Sequence, residues 1–138
     1  MKISAKLDYA CRILCELARE YARGNPLSIE HLSKIEAVPA NFLAQILGDL
    51  RHSNLVVSRR GVQGGFLLAR APDGFTLLDI IKAIDGGLLE LNGTSDDGRS
   101  GRKLRLIWDE IREAAAGKAR GYTLESMSTR TEGAMYYI

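Results

Sequence analysis

Near residue 54 the hydrophobic period of the chain switches from helical to strand-like, and few architectures accommodate that switch. From about Ser4 to Ala22, Leu7, Ala10, Cys11, Leu14, Leu17, Ala18 and Tyr21 recur at three- and four-residue steps, which predicts an amphipathic helix. Arg23-Gly24-Asn25-Pro26 ends it, and Ser28 supplies an N-cap hydroxyl to a short helix carrying Ile29, Leu32 and Ile35. After Ala37-Val38-Pro39 a third helix has Pro39 or Ala40 in its first turn and Phe42, Leu43, Ile46, Leu47 and Leu50 as its apolar stripe. Then the period breaks. Leu55-Val56-Val57-Ser58 and Phe66-Leu67-Leu68-Ala69 flank Arg59-Arg60-Gly61-Val62-Gln63-Gly64-Gly65, which predicts a β-hairpin with a long, basic, glycine-rich tip.

Beyond Pro72-Asp73-Gly74, Thr76 and Asp79 form a capping-box start to a helix of Leu77, Ile80, Ile81 and Ile84 that stops at Gly86-Gly87. From Asn92 to Arg102 no residue is apolar, so this stretch is a loop. Leu104, Ile107, Trp108, Ile111, Ala114 and Ala115 then line one face of a helix expected to end near Gly117, followed by a short helix from Leu124 and a frayed tail after Ser128. The expectation is a mainly α fold with a small β-hairpin. Residues 1–87 form a winged helix-turn-helix domain, 88–102 a loop, and 103–138 a further helix and tail.

Charge gives this order a direction. The total of +2 is small, but residues 1–70 hold 10 Lys and Arg against 6 Asp and Glu, and residues 71–138 hold 9 against 11. A basic front half points to a polyanionic partner. In a winged helix the third helix fits the DNA major groove and the wing reaches phosphates or the adjacent minor groove. Asn41, Ala44, Gln45, Gly48 and Asp49 fall away from the apolar stripe of that helix. Asn41 and Gln45 are one turn apart and carry amides able to pair with base edges; the other reading is that both are merely solvated. Arg59 and Arg60 supply two permanently charged forks, Gly61, Gly64 and Gly65 let backbone approach phosphate closely, and Gln63 in the same turn is a further DNA-contact candidate.

Other classes are excluded by what the residues lack. A chain of 138 residues buries enough surface to fold without disulfides or structural metals. Cys11, Cys15, His31 and His52 are its only soft ligands, and neither pair has a finger-like spacing. Gly61-Val62-Gln63-Gly64-Gly65-Phe66 has neither the Lys-Ser/Thr ending of a phosphate-binding loop nor the spacing of a dinucleotide fingerprint. No nucleophile, base and orienting group assemble from any motif, so no enzyme is expected. Apolar runs are only a handful of residues long, and Lys2, Lys6, Asp8 and Arg12 stand where a signal peptide needs an apolar stretch. A reducing cytoplasm, without membrane association, is the expected setting.

At this level of detail the sequence resembles a known family. Met1-Lys2-Ile3-Ser4-Ala5-Lys6 with Tyr9-Ala10, then Pro26-Leu27-Ser28-Ile29-Glu30, Phe42-Leu43-Ala44-Gln45-Ile46-Leu47, Leu50-Arg51 and above all Arg60-Gly61-Val62-Gln63-Gly64-Gly65-Phe66-Leu67-Leu68-Ala69-Arg70 are similar to the Rrf-two family of bacterial winged-helix regulators (IscR/NsrR/CymR-like). Thr76 to Gly86 continues the match in register. The resemblance implies a homodimer that binds an imperfect palindrome in double-stranded DNA and represses transcription. It implies that Lys6, Tyr9, Ser28 and Arg51 position the DNA backbone, and that the helix carrying Leu104, Ile107, Trp108 and Ile111 joins the subunits. Iron–sulfur members carry three cysteines in the loop that aligns with Leu88 to Lys103; this chain has no Cys or His there, so no cofactor is expected. Ala44 also departs, standing where relatives often place an acidic residue.

The signal is left open by the sequence. A small-molecule effector, a protein partner, or a thiol switch at Cys11 and Cys15 each fit. The two cysteines lie four residues apart at the edge of an apolar helical face, where they serve equally as small core residues. A competing functional class is a winged-helix module that binds protein and no DNA.

Overall fold

The structure, a computed structural model, describes residues 2–93 and 95–129. Helix α1 (Ala5–Glu20) is N-capped by Ser4, whose hydroxyl accepts from the Leu7 N–H, and it buries Leu7, Ala10, Ile13, Leu14 and Leu17. Helix α2 (Ile29–Glu36) is capped by Ser28 and buries only Leu32; helix α3 (Ala40–His52) follows Pro39 and buries Leu43, Ile46, Leu47 and Leu50. These stripes meet in one core, closed from the other side by Leu55, Val56, Leu68 and Phe75. Three members of the expected stripes stay out of it. Tyr21, past the end of α1, Ile35 and Phe42 are 39%, 51% and 46% exposed. A two-turn helix wedged against α1 and α3 turns only one side inward, and Phe42 at the start of α3 meets the edge of Tyr9 instead, ring centroids 6.2 Å apart.

Strands β1 (Val56–Arg59) and β2 (Gly65–Leu68) pair antiparallel, Val56 opposite Leu68 and Arg59 opposite Gly65. Both are displaced from the apolar runs by one residue toward the tip. Arg59 is therefore held in the ladder instead of in the turn, and Gly65 likewise. Leu27, just before α2, extends the sheet: its N–H donates to the Phe66 carbonyl at 3.0 Å and its carbonyl accepts from the Phe66 N–H at 2.9 Å. The wing is thus tied to the helical unit by backbone.

Helix α4 (Leu77–Asp85) has the expected reciprocal cap. The Asp79 N–H donates to Thr76 Oγ1, the Thr76 N–H donates to Asp79 Oδ2, and Gly86 ends the helix in the left-handed conformation at φ 82°. Helix α5 (Gly101–Arg120) runs three residues past the expected stop at Gly117. A single helical glycine costs about 1 kcal/mol against alanine, which twenty residues of helix absorb. Helix α6 (Leu124–Ser128) then folds back onto α1. Leu124 is fully buried, the Leu77 N–H donates to the Tyr122 carbonyl, the Leu124 N–H donates to the Phe75 carbonyl, and Arg19 Nε donates to the Ser128 carbonyl at 3.0 Å. The segment after α5 is therefore part of the same core as α1. The tail expected to fray after Ser128 lies, except for Thr129, outside the described residues.

At the α1–α2 junction Arg19 pairs with Glu16 at 2.6 Å and reaches Glu36 at 3.6 Å. Burial holds the Glu36 carboxyl above the usual carboxylate range, and a hydrogen bond to the Glu16 carboxyl adds to this against the pull of Arg19 and Arg12. A raised acid means that the folded chain keeps its proton to higher pH than the unfolded chain. This contribution is full below the ordinary glutamate value and is lost as pH rises through the raised one. Glu36→Gln should therefore flatten the fall of Tm across that acidic window and leave the protein more stable than wild type at neutral pH. Thermal melts from pH 4 to 7.5 check this, and a steeper fall would contradict it.

Candidate nucleic-acid interface

The face of α3 opposite the core carries Asn41, Ala44, Gln45 and Gly48, all exposed. Both amides project from a helix whose other side is fixed by four fully buried side chains. A rigid helix with free amides one turn apart suits base-edge pairing, in which a side-chain amide donates and accepts at once. The only carboxylate on the outer face, Asp49, is paired with Lys6 Nζ at 2.6 Å. That pair neutralises a charge that phosphates would repel. It also places Lys6, expected at the DNA backbone, in an α1–α3 tie.

The neighbouring expected residues also acquire structural duties. Tyr9 packs on Phe42, with the Arg12 guanidinium 5.7 Å from its ring centroid. Ser28 Oγ accepts from the His31 N–H at 3.1 Å, capping α2. Arg51 Nη1 donates to Ser58 Oγ at 3.3 Å, linking the end of α3 to the wing. Lys6 and Tyr9 thus brace α3 from α1, and Arg51 ties its end to the wing.

On the wing Arg59 and Arg60 are exposed and have no ion pair among the described residues. Two glycines are demanded by the hairpin itself. A Cβ on Gly64 would lie 2.2 Å from the Arg59 carbonyl oxygen, and one on Gly65 would lie 2.5 Å from that of Leu27. The Gly64 N–H closes the tip by donating to the Gly61 carbonyl, which leaves Val62 fully exposed. Between the tip and α2 lies a groove of about 520 Å³ that brings Ser28, Gln63 and Gly64 together with Asn25 and His31. Asn25, His31 and the strand-like pairing of Leu27 carried no signal in the sequence, because their placement depends on where the wing folds back.

Cys11 and Cys15 are both free and half-buried on α1. Burial, with Cys15 and then Asp8 and Asp85 adding to it, pushes the Cys11 thiol up to about 12; burial also raises Cys15, against the pull of Arg19. The reactive form of cysteine is the thiolate, so both are poor nucleophiles near neutral pH. Iodoacetamide at pH 7.5 should alkylate them at least about tenfold more slowly in the folded protein than in urea. Equal rates would restore the thiol switch.

Helix α5 buries only Ala119 among its twenty residues. Leu104, Trp108 and Ile111 are 42%, 43% and 45% exposed and Ile107 is half-buried, all on one side. No described helix is long and apolar enough to cross a membrane.

Comparisons with known proteins agree with this geometry. Residues 3–130 match the family described as Rrf2, iron-dependent transcriptional regulator. The chain is 33% identical over 142 residues to the HTH-type transcriptional regulator CymR of Bacillus subtilis, covering all of both chains, and 24% identical over 135 residues to the regulator IscR of Erwinia tasmaniensis, covering 96% of this chain and 81% of that one. The solved structure of B. subtilis CymR, titled as the global cysteine regulator, superposes with a TM-score of 0.82 at 30% identity over 96% of this chain and 99% of that one. The structure of T. potens IscR superposes with a TM-score of 0.76 at 26% identity over 99% and 97%. The mainly helical winged fold is thereby borne out. The iron in the family description finds no matching donors: among the described residues no three His, Cys, Asp or Glu side chains converge, and residues 88–103 contain neither Cys nor His.

Proposed function

This chain belongs to the Rrf2 family of transcriptional regulators, and from that premise we propose that it is a cytoplasmic homodimeric repressor that binds an imperfect palindrome without an iron–sulfur cluster. In this reading Asn41 and Gln45 read base edges, Arg59 and Arg60 hold the wing on phosphates, and Gln63 and the backbone at Gly64 and Gly65 lie against the DNA. Lys6, Tyr9, Ser28 and Arg51 hold these parts in register. Leu104, Ile107, Trp108 and Ile111 join two copies. The observation that carries the reading is that α3 turns Asn41 and Gln45 outward while its outer carboxylate, Asp49, is paired with Lys6, next to a wing whose Arg59 and Arg60 are exposed and have no ion pair among the described residues.

Two recognition helices related by a two-fold axis require half-sites about one helical turn, or a multiple of it, apart. Gln45→Ala tests the base-reading role on single-position variants of a bound operator. Affinity should fall by about 1–3 kcal/mol at one position of each half-site and stay unchanged elsewhere. A uniform loss across all variants would make Gln45 a backbone-positioning residue. The family supplies no chemistry for an enzyme, and none is proposed.

A further inference from the structure

A cavity of about 470 Å³ lies where the first turn of α1, the end of α4 and α5 meet. Its walls are mostly apolar, built from Ile3, Leu7, Ile81 and Leu88, and its size is that of a small-molecule site. Three charged side chains fringe it: Lys2, Asp85 and Glu90. None of the three has an ion pair among the described residues, and two carboxylates against one ammonium leave the fringe net negative. Asp85 is the last residue of α4, where the carbonyl end of the helix adds partial negative charge. Glu90 folds back over Gly87 so closely that a Cβ there would strike its carboxylate.

We propose that this cavity binds a small organic cation with an apolar body, its ammonium group set against Asp85 and Glu90, and that its occupancy is felt at α3. The route is short. Ser4, the N-cap of α1, donates to Asp85 Oδ1 at 3.4 Å, a long bond that an incoming ammonium would displace. Leu7 lines the cavity, and its neighbour Lys6 holds Asp49 on the recognition helix. A ligand that shifts the first turn of α1 therefore acts directly on the α1–α3 tie. The coupling rests on the DNA-binding reading; the binding site does not.

The test uses the full chain with isoleucine methyls isotopically labelled, titrated with phenethylammonium, 2-phenylethanol and 3-phenylpropanoate. Phenethylammonium should shift the Ile3 and Ile81 methyl signals saturably and leave Ile29 in place. It should bind at least about tenfold more tightly than the alcohol, and the carboxylate should not saturate. Asp85→Asn with Glu90→Gln, both at exposed positions, should bring the amine down to the level of the alcohol. No saturable shift, equal binding of all three probes, or methyl shifts produced by diluting the free protein would overturn the site, the last by giving the cavity to a second copy. DNA affinity should change at least about threefold in saturating phenethylammonium for wild type and not for the double variant. Saturation without that change would overturn the coupling. A protein that binds the amine but no DNA would remove the DNA reading and the coupling together, with the site intact.

Discussion

Replacing Trp108 and Ile111 together by glutamate is expected to turn a dimer into a folded monomer and to lower operator affinity at least about 100-fold. Both side chains lie nearly half in water on a helix that gives the core only Ala119, so their loss removes little from the fold of one chain. In a two-fold interface each appears twice. Burying four such side chains at roughly 1.5 kcal/mol apiece is worth about 6 kcal/mol, some four decades of dimer affinity before the repulsion of the new carboxylates is counted. A single subunit reaches one half-site, which accounts for the fall in DNA affinity. Light scattering and thermal melts on the variant separate the outcomes. A dimer with unchanged mass would move the interface elsewhere, and a collapsed melting transition would make α5 part of the monomer's own core.

Arg59→Ala with Arg60→Ala should weaken binding to every DNA sequence alike. If each guanidinium neutralises one phosphate, a dimer loses four contacts, and the log–log salt slope should fall by roughly 3 to 4. At 0.1 M salt that amounts to at least about 100-fold in affinity. Base preference should survive, because the α3 amides are untouched. Arg59 pairs through its backbone with Gly65, and side-chain truncation leaves that ladder in place, so the wing itself should persist. An unchanged salt slope would take the wing off the DNA.

The order of elements was legible because each depends on local chemistry. Ser28 and Thr76 announce helix starts, Gly86 a stop, and the change of period at Leu55 the wing. What stayed hidden depends on contacts distant in sequence. The resemblance that marked Lys6 for DNA could not reveal Asp49, forty-three residues on, as its partner. Likewise the glycines of the wing read as room for phosphate and gave no sign that the backbone of Arg59 and Leu27 lies where a Cβ on Gly64 or Gly65 would fall. Nor did the apolar stripe of α5 disclose that α6 returns to seal α1, since the joining bonds are made by backbone at Phe75, Leu77 and Tyr122. The outward placement of the α3 amides and the wing arginines was legible in the sequence because a polar position off an apolar helical stripe, or a basic hairpin tip, needs no distant partner to be noticed.

The most direct test of sequence-specific recognition by a two-fold pair of α3 helices is selection of bound DNA from a random duplex library by the intact protein at low salt. The account predicts enrichment of an inverted repeat with half-sites about one helical turn, or a multiple of it, apart, and loss of defined positions in that repeat with Gln45→Ala. Binding with no enriched sequence, or enrichment of a single unrepeated half-site by a protein that remains dimeric, would contradict it.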